Sequence, residues 1–102
     1  MAKAIALYHR PTDTEAFDSY YTSTHIPLAK KLPGLRSYSV SSGPVATPAG
    51  PAEYYLIAVL GFDSMEAIQM SLVSPEGQAV VADLANFATG GVEVMLYDEI
   101  EV

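Results

Sequence analysis

Two histidines, seven tyrosines and no cysteine make up the reactive side chains of this 102-residue sequence, beside its acids and a few cations. His25 is the residue best placed for chemistry. It follows Tyr21 by four positions, so on a helix the imidazole and the phenol share a face and can exchange a hydrogen bond. An imidazole with a reference pKa of ~6.5 is also suited to moving protons at neutral pH. His25 is therefore the candidate general acid or base, and Tyr21 its candidate partner. Tyr8 and Tyr38 are candidate substrate-binding residues, because several phenols directed into one apolar cavity would suit a planar or cyclic organic ligand. Arg36 is a candidate for steering an anionic substrate. Each has a plainer reading: a histidine packed at a helix kink on a backbone carbonyl, core tyrosines with satisfied hydroxyls, and a surface arginine paired with one of many acids. A ligand site at His25 calls for a cavity of at least ~300 Å³; without one, the pocket is filled by side chains and the protein only dimerises.

Several chemistries lack their residues. A transition-metal site would need His9, His25 and carboxylates to converge, and nothing in the spacing brings them together, so no metal is expected. There is no nucleotide-binding glycine loop, nucleophile elbow, zinc-protease helix or calcium loop, and no flavin or nicotinamide fingerprint, so no cofactor is expected. His9, at a strand end before Arg10-Pro11, suits an exposed or interface role. The net charge of -7 disfavours nucleic acid as a partner. All five Lys and Arg lie at or before position 36, whereas nine of the twelve acids follow it. No apolar run approaches the ~20 residues of a membrane span and the start lacks a long apolar leader segment, so a soluble, cytoplasmic protein is expected. With 50% hydrophobic and 17% charged residues, the chain is apolar for a small monomer, which favours an oligomer.

The elements that position these residues follow from periodicity. Lys3–His9 alternates as a strand with two largely apolar faces. Thr12 as N-cap and Glu15 at the third position open a helix carrying Phe17, Tyr20, Tyr21 and Thr24. Pro27 disfavours helical geometry at Ile26, so a kink or break is expected near His25, before Leu28, Ala29 and Leu32. Pro33-Gly34 stops the helix, and 35–42 reads as a strand with Arg36, Tyr38 and Val40 on one face. Residues 43–52, rich in Pro, Gly and Ala, read as a connecting loop without a regular ladder. Residues 53–62 form the strongest strand. Asp63 is expected to cap a short helix with Glu66, and Ser74-Pro75 opens another through Val80, Val81, Leu84 and Phe87. Gly90-Gly91 leads into a last strand at 92–101. The order is that of an α+β, ferredoxin-like split βαβ domain spanning 1–102, with a four-stranded antiparallel sheet and helices on one face. The apolar second face is expected to be closed by another copy, making a homodimeric α+β barrel.

The pattern Phe17-x-x-Tyr20-Tyr21-x-x-x-His25-x-Pro27-Leu28, followed by Leu32-Pro33-Gly34-Leu35-Arg36-x-Tyr38, resembles the EthD family of dimeric α+β barrel proteins. Phe62-Asp63-Ser64, Ser74-Pro75-Glu76-Gly77 and Asp83-Leu84-x-Asn86-Phe87 extend the likeness over nearly the whole chain. The resemblance implies a ferredoxin-like homodimer. The family takes its name from a gene cluster for degradation of ethyl tert-butyl ether, where the partner is a cytochrome P450 system. It also implies a range of cofactor-free chemistry, since relatives include decarboxylases and dehydratases, and the wider superfamily includes monooxygenases, isomerases and cyclases. In several of these a histidine and tyrosines do the proton work, which matches His25 and Tyr21 by type. Two functions stay open on this reading: acid/base chemistry on a small hydrophobic or aromatic metabolite, or a non-catalytic homodimer that binds such a molecule or supports an oxidoreductase.

Overall fold

The computed structural model describes residues 1–102. Its element order is β1 (Ala2–His9), α1 (Thr14–Tyr20), a π turn (Tyr21–His25), α2 (Ile26–Ala29), β2 (Ser37–Val40), β3 (Ala46–Thr47), β4 (Gly50–Pro51), β5 (Tyr54–Phe62), α3 (Met65–Val73), α4 (Pro75–Phe87) and β6 (Val92–Asp98). The main sheet is antiparallel with strand order β2-β5-β1-β6, so β1 and β5 are central. This is the ferredoxin-like α+β fold that the element order implied. No helix is long and apolar enough to cross a membrane.

The central strands divide their side chains between two faces. On β1, Ala2 and Tyr8 are buried beneath the helices, with Ala4 and Ala6 in the same row. On β5 that row holds Ala58 and Phe62. The opposite row, with Ile5 beside Val59 and Met95, and Leu7 beside Ile57, has no helix over it. A register shift between Tyr8 and His9 leaves Tyr55 as an extra residue on β5. This bulge re-aims two neighbouring tyrosines. Tyr54 lies beside His9 with ring centroids 5.0 Å apart, while Tyr55 meets Phe17 edge-on at 5.4 Å.

Several local expectations are corrected. Asp13, not Thr12, caps α1, its carboxylate accepting from the Ala16 N–H, while Thr12 bonds Thr89. Ser64, not Asp63, caps α3, which leaves Asp63 free to pair with Arg36. In both cases a neighbouring side chain found a competing partner elsewhere in the fold. The helix also does not break at His25. It widens into a π turn in which the Ile26 N–H reaches the Tyr21 carbonyl. Residues 43–52 contain a small ladder, Ala46 opposite Pro51 and Thr47 opposite Gly50, stabilised by Thr47 donating to the Gly50 carbonyl. The helical segment ends before Pro33-Gly34, at Ala29 with Lys30 as its C-cap, and single-turn bonds carry the chain to Leu32 before Gly34 turns it at φ +80°, a conformation that glycine adopts without steric cost.

Candidate functional site

The π turn determines what the first helical segment presents to the core. Phe17, Tyr21, His25 and Ala29 are all buried. Four-residue spacing in a regular α-helix advances about 40° per step, so the last of these would rotate off the face. A wider turn in the middle offsets that drift. Pro27, which has no N–H to donate, directly follows the π turn, where the bond from the Ile26 N–H to the Tyr21 carbonyl already interrupts the regular α ladder.

His25 is 3% exposed and is held on both sides. Its ring lies 4.6 Å from that of Phe87 and 5.4 Å from that of Tyr21, centroid to centroid. Nδ1 lies 2.9 Å from Asp83 Oδ2. Asp83 Oδ1 in turn accepts from the Tyr20 hydroxyl at 2.6 Å and from Asn86 Nδ2 at 2.9 Å. Burial pushes the Asp83 carboxyl up, but the bonds from Tyr20, Asn86 and His25 outweigh it and hold the group below the ordinary carboxylate range. Asp83 is thus an acceptor-only carboxylate, so His25 Nδ1 must carry the proton that lies between them. Nε2 is the ring nitrogen left for the cavity that His25 lines.

Three tyrosines share that cavity. The hydroxyls of Tyr21 and Tyr38 are 2.7 Å apart, and the Tyr8 ring meets Tyr21 edge-on at 5.6 Å. Burial is the main cause that raises the pKa of all three phenols, so they are neutral hydrogen-bonding groups at physiological pH. Whichever of Tyr21 and Tyr38 accepts in their mutual bond keeps its own O–H to offer elsewhere.

The cavity holds about 80 Å³, well short of the ~300 Å³ expected of a ligand site. Tyr8, Phe62 and Ile68 fill much of the space between sheet and helices. Its floor consists of the small side chains Ala4, Ala6 and Ala58, and hydrophobic residues make up 17 of the 18 in its lining. What remains is a small apolar recess beside His25.

Four of the five residues singled out by sequence, His25, Tyr21, Tyr8 and Tyr38, therefore meet at one cavity. Arg36 does not join them. It sits on the surface with its guanidinium paired to both oxygens of Asp63, at 3.1 and 2.9 Å, and both side chains are 61% exposed. His9 pairs with Glu93 at 3.1 Å on the uncovered sheet face. No cluster of three His, Cys, Asp or Glu side chains is arranged to hold a metal ion. Sequence reasoning missed Asp83 and its donors Tyr20 and Asn86 as parts of the site. The signal was present: on the apolar stripe of α4, formed by Val80, Leu84 and Phe87, Asp83 is a carboxylate that must be paired if buried.

Residues 9–91 match the EthD domain family. A chain described as an uncharacterized 11.0 kDa protein in the thcB-thcC intergenic region of Rhodococcus erythropolis is 35% identical over 99 residues, covering 97% of this chain and 95% of that one. The crystal structure of an EthD family protein from Bacillus halodurans superposes with a TM-score of 0.89 at 38% identity, covering 98% of this chain and 99% of the other. SnoaB, a cofactor-independent oxygenase from Streptomyces nogalater, is similar in fold alone, with a TM-score of 0.68 at 14% identity over 99% of this chain and 94% of its own. A family match across most of the length, together with relatives above 30% identity over nearly all of it, makes this chain a member of the EthD family.

Proposed function

We propose that the protein is a homodimer that binds a small hydrophobic metabolite at His25 and performs cofactor-free acid/base chemistry on it. The observation that carries this reading is the buried pair of His25 and Asp83 beside an apolar cavity. A structural histidine needs only a partner, whereas this one has its carboxylate on Nδ1 and turns its other edge toward open space. Substrate C–H or O–H would lose its proton to Nε2, Asp83 would stabilise the imidazolium, and the free hydroxyl of the Tyr21–Tyr38 pair would hold a substrate oxygen. Dehydration and isomerisation draw on such a base, and so does oxygenation when dioxygen is the oxidant that the deprotonated substrate meets. SnoaB shares the fold and is described as a cofactor-independent oxygenase, which fits chemistry of this class.

The dimer is supported by the uncovered sheet face, where Met95 is 48% and Tyr97 42% exposed beside Ile5, Leu7, Ile57 and Val59. Two such faces packed together would bury the apolar rows that the helices leave open. The small cavity favours a second reading, in which side chains fill the pocket and the protein only dimerises, or supports an oxidoreductase, without turnover. Replacement of His25 by Gln separates the two. In an assay of product formation with the purified protein, the catalytic reading expects His25→Gln to lower turnover by about 100-fold or more while ligand binding survives. Full turnover by the variant would remove His25 from the mechanism.

A further inference from the structure

Helix α4 packs along α1, α2, α3 and the π turn, and reaches the sheet through Phe87, whose ring lies 5.6 Å from that of Tyr8 on β1. Beneath it the central strands present Ala4, Ala6 and Ala58 to the gap. Among the residues that line the cavity, only Val81 and Val94 are exposed; the others are buried or half-buried. Val81, on α4, is 52% exposed, and Val94, on β6, is 53% exposed. β6 is an edge strand, so no further strand flanks it on its outer side. The recess beside His25 therefore opens to solvent at one identifiable place, a slot between α4 and the edge of the sheet. This slot lies on the helix side, so pairing of the opposite sheet faces in a dimer leaves it clear.

The polar groups inside are few and of one kind. No Lys or Arg lines the cavity, the phenols of Tyr8, Tyr21 and Tyr38 are neutral, and the carboxylate of Asp83 lies behind the imidazole. An anionic group placed there would be stripped of water with no lysine or arginine to compensate it, close to a second negative charge. A carbonyl or hydroxyl oxygen loses far less water and takes the spare phenolic O–H in exchange. We propose that ligands enter between α4 and β6, past Val81 and Val94, and that the part lodged against His25 is uncharged. The inference rests on the cavity being a ligand site and adds its route and its charge selection.

Two small probes of equal size test both parts: 2-butanone, which is neutral, and propionate, its anionic counterpart. Binding is followed by NMR at the methyls of Ala6 and Ala58 and at the His25 ring. Butanone is expected to shift all three and propionate, at the same concentration, none. In Val81→Trp and Val94→Trp, whose half-exposed sites carry a larger side chain without repacking the core, entry and exit of butanone should slow by about tenfold. Val73→Trp, at a site 71% exposed and away from the lining, should leave both rates unchanged. Butanone binding with unaltered rates in both slot variants would overturn the route while leaving the ligand site standing. Equal shifts from propionate would overturn the charge selection. If butanone perturbs none of the three signals in the unmodified protein, the ligand site itself falls, and the route with it.

Discussion

The carboxylate of Asp83 sets what His25 is able to do. Because it accepts from Nδ1, it leaves Nε2 as the basic edge toward the cavity. Asp83→Asn would place an amide N–H₂ opposite Nδ1, since the Tyr20 and Asn86 donors hold the other oxygen in place. The imidazole should then switch tautomer, with its proton moving to Nε2, and nitrogen-15 NMR of the ring reads this directly. The same variant carries a pH signature. The Asp83 carboxyl is held below its ordinary ~3.9, so its contribution to stability is complete above about pH 4 and is lost as pH falls through the lower folded-state value. Asp83→Asn should cost about 2 kcal/mol at neutral pH. In urea titrations across the acid range, that difference should shrink below about pH 4; a difference independent of pH would show that the carboxylate charge is not what stabilises the network. His25 and the tyrosines were legible in the sequence because their types and spacing are unusual there. Asp83 was not, because its partner His25 lies 58 residues away and only the fold brings them together.

At the scale of elements, the sequence was read well where one pattern dominated and less well where two residues competed. The alternation of β1, the long apolar run of β5 and the Ser74-Pro75 start of α4 are strong local signals, and each became the element it implied. The caps of α1 and α3 were misassigned between adjacent residues, Thr12 or Asp13 and Asp63 or Ser64, because the deciding partners Thr89 and Arg36 are remote. Where the sequence implies a kink or break near His25 the structure has a π turn: proline signals that the helix must adjust, but not which adjustment keeps Phe17, Tyr21, His25 and Ala29 buried together. One junction was not foreseen. Gly77, in the first turn of α4, lies so close to the end of α3 that an added Cβ would stand 2.6 Å from Leu72 Cα. Gly77→Ala should therefore destabilise the fold by about 2 kcal/mol despite the better helix propensity of alanine. A denaturation midpoint equal to or above that of the unmodified protein would show that the two helices move apart freely.

Over the whole molecule, two surfaces of the same sheet carry the functional proposal. The uncovered face is the one proposed to pair with a second copy, and light scattering should find two copies together at micromolar concentration. Ile5→Glu, which places a charge at the centre of that face, should release a monomer; an unmodified protein that is already monomeric would contradict the paired sheets. The covered face supplies the cavity, whose alanine floor gives up apolar packing that larger side chains would provide. Ala58→Leu should fill the recess and stabilise the free protein by about 1 kcal/mol, as cavity filling commonly does. If the space is kept open for a ligand, the same change should abolish binding. The most direct measurement is native mass spectrometry of the unmodified protein and Ala58→Leu after incubation with a cell metabolite extract. An uncharged small molecule retained by the first and absent from the second is the predicted result. The same compounds on both proteins, or none on either, would contradict a ligand site at His25.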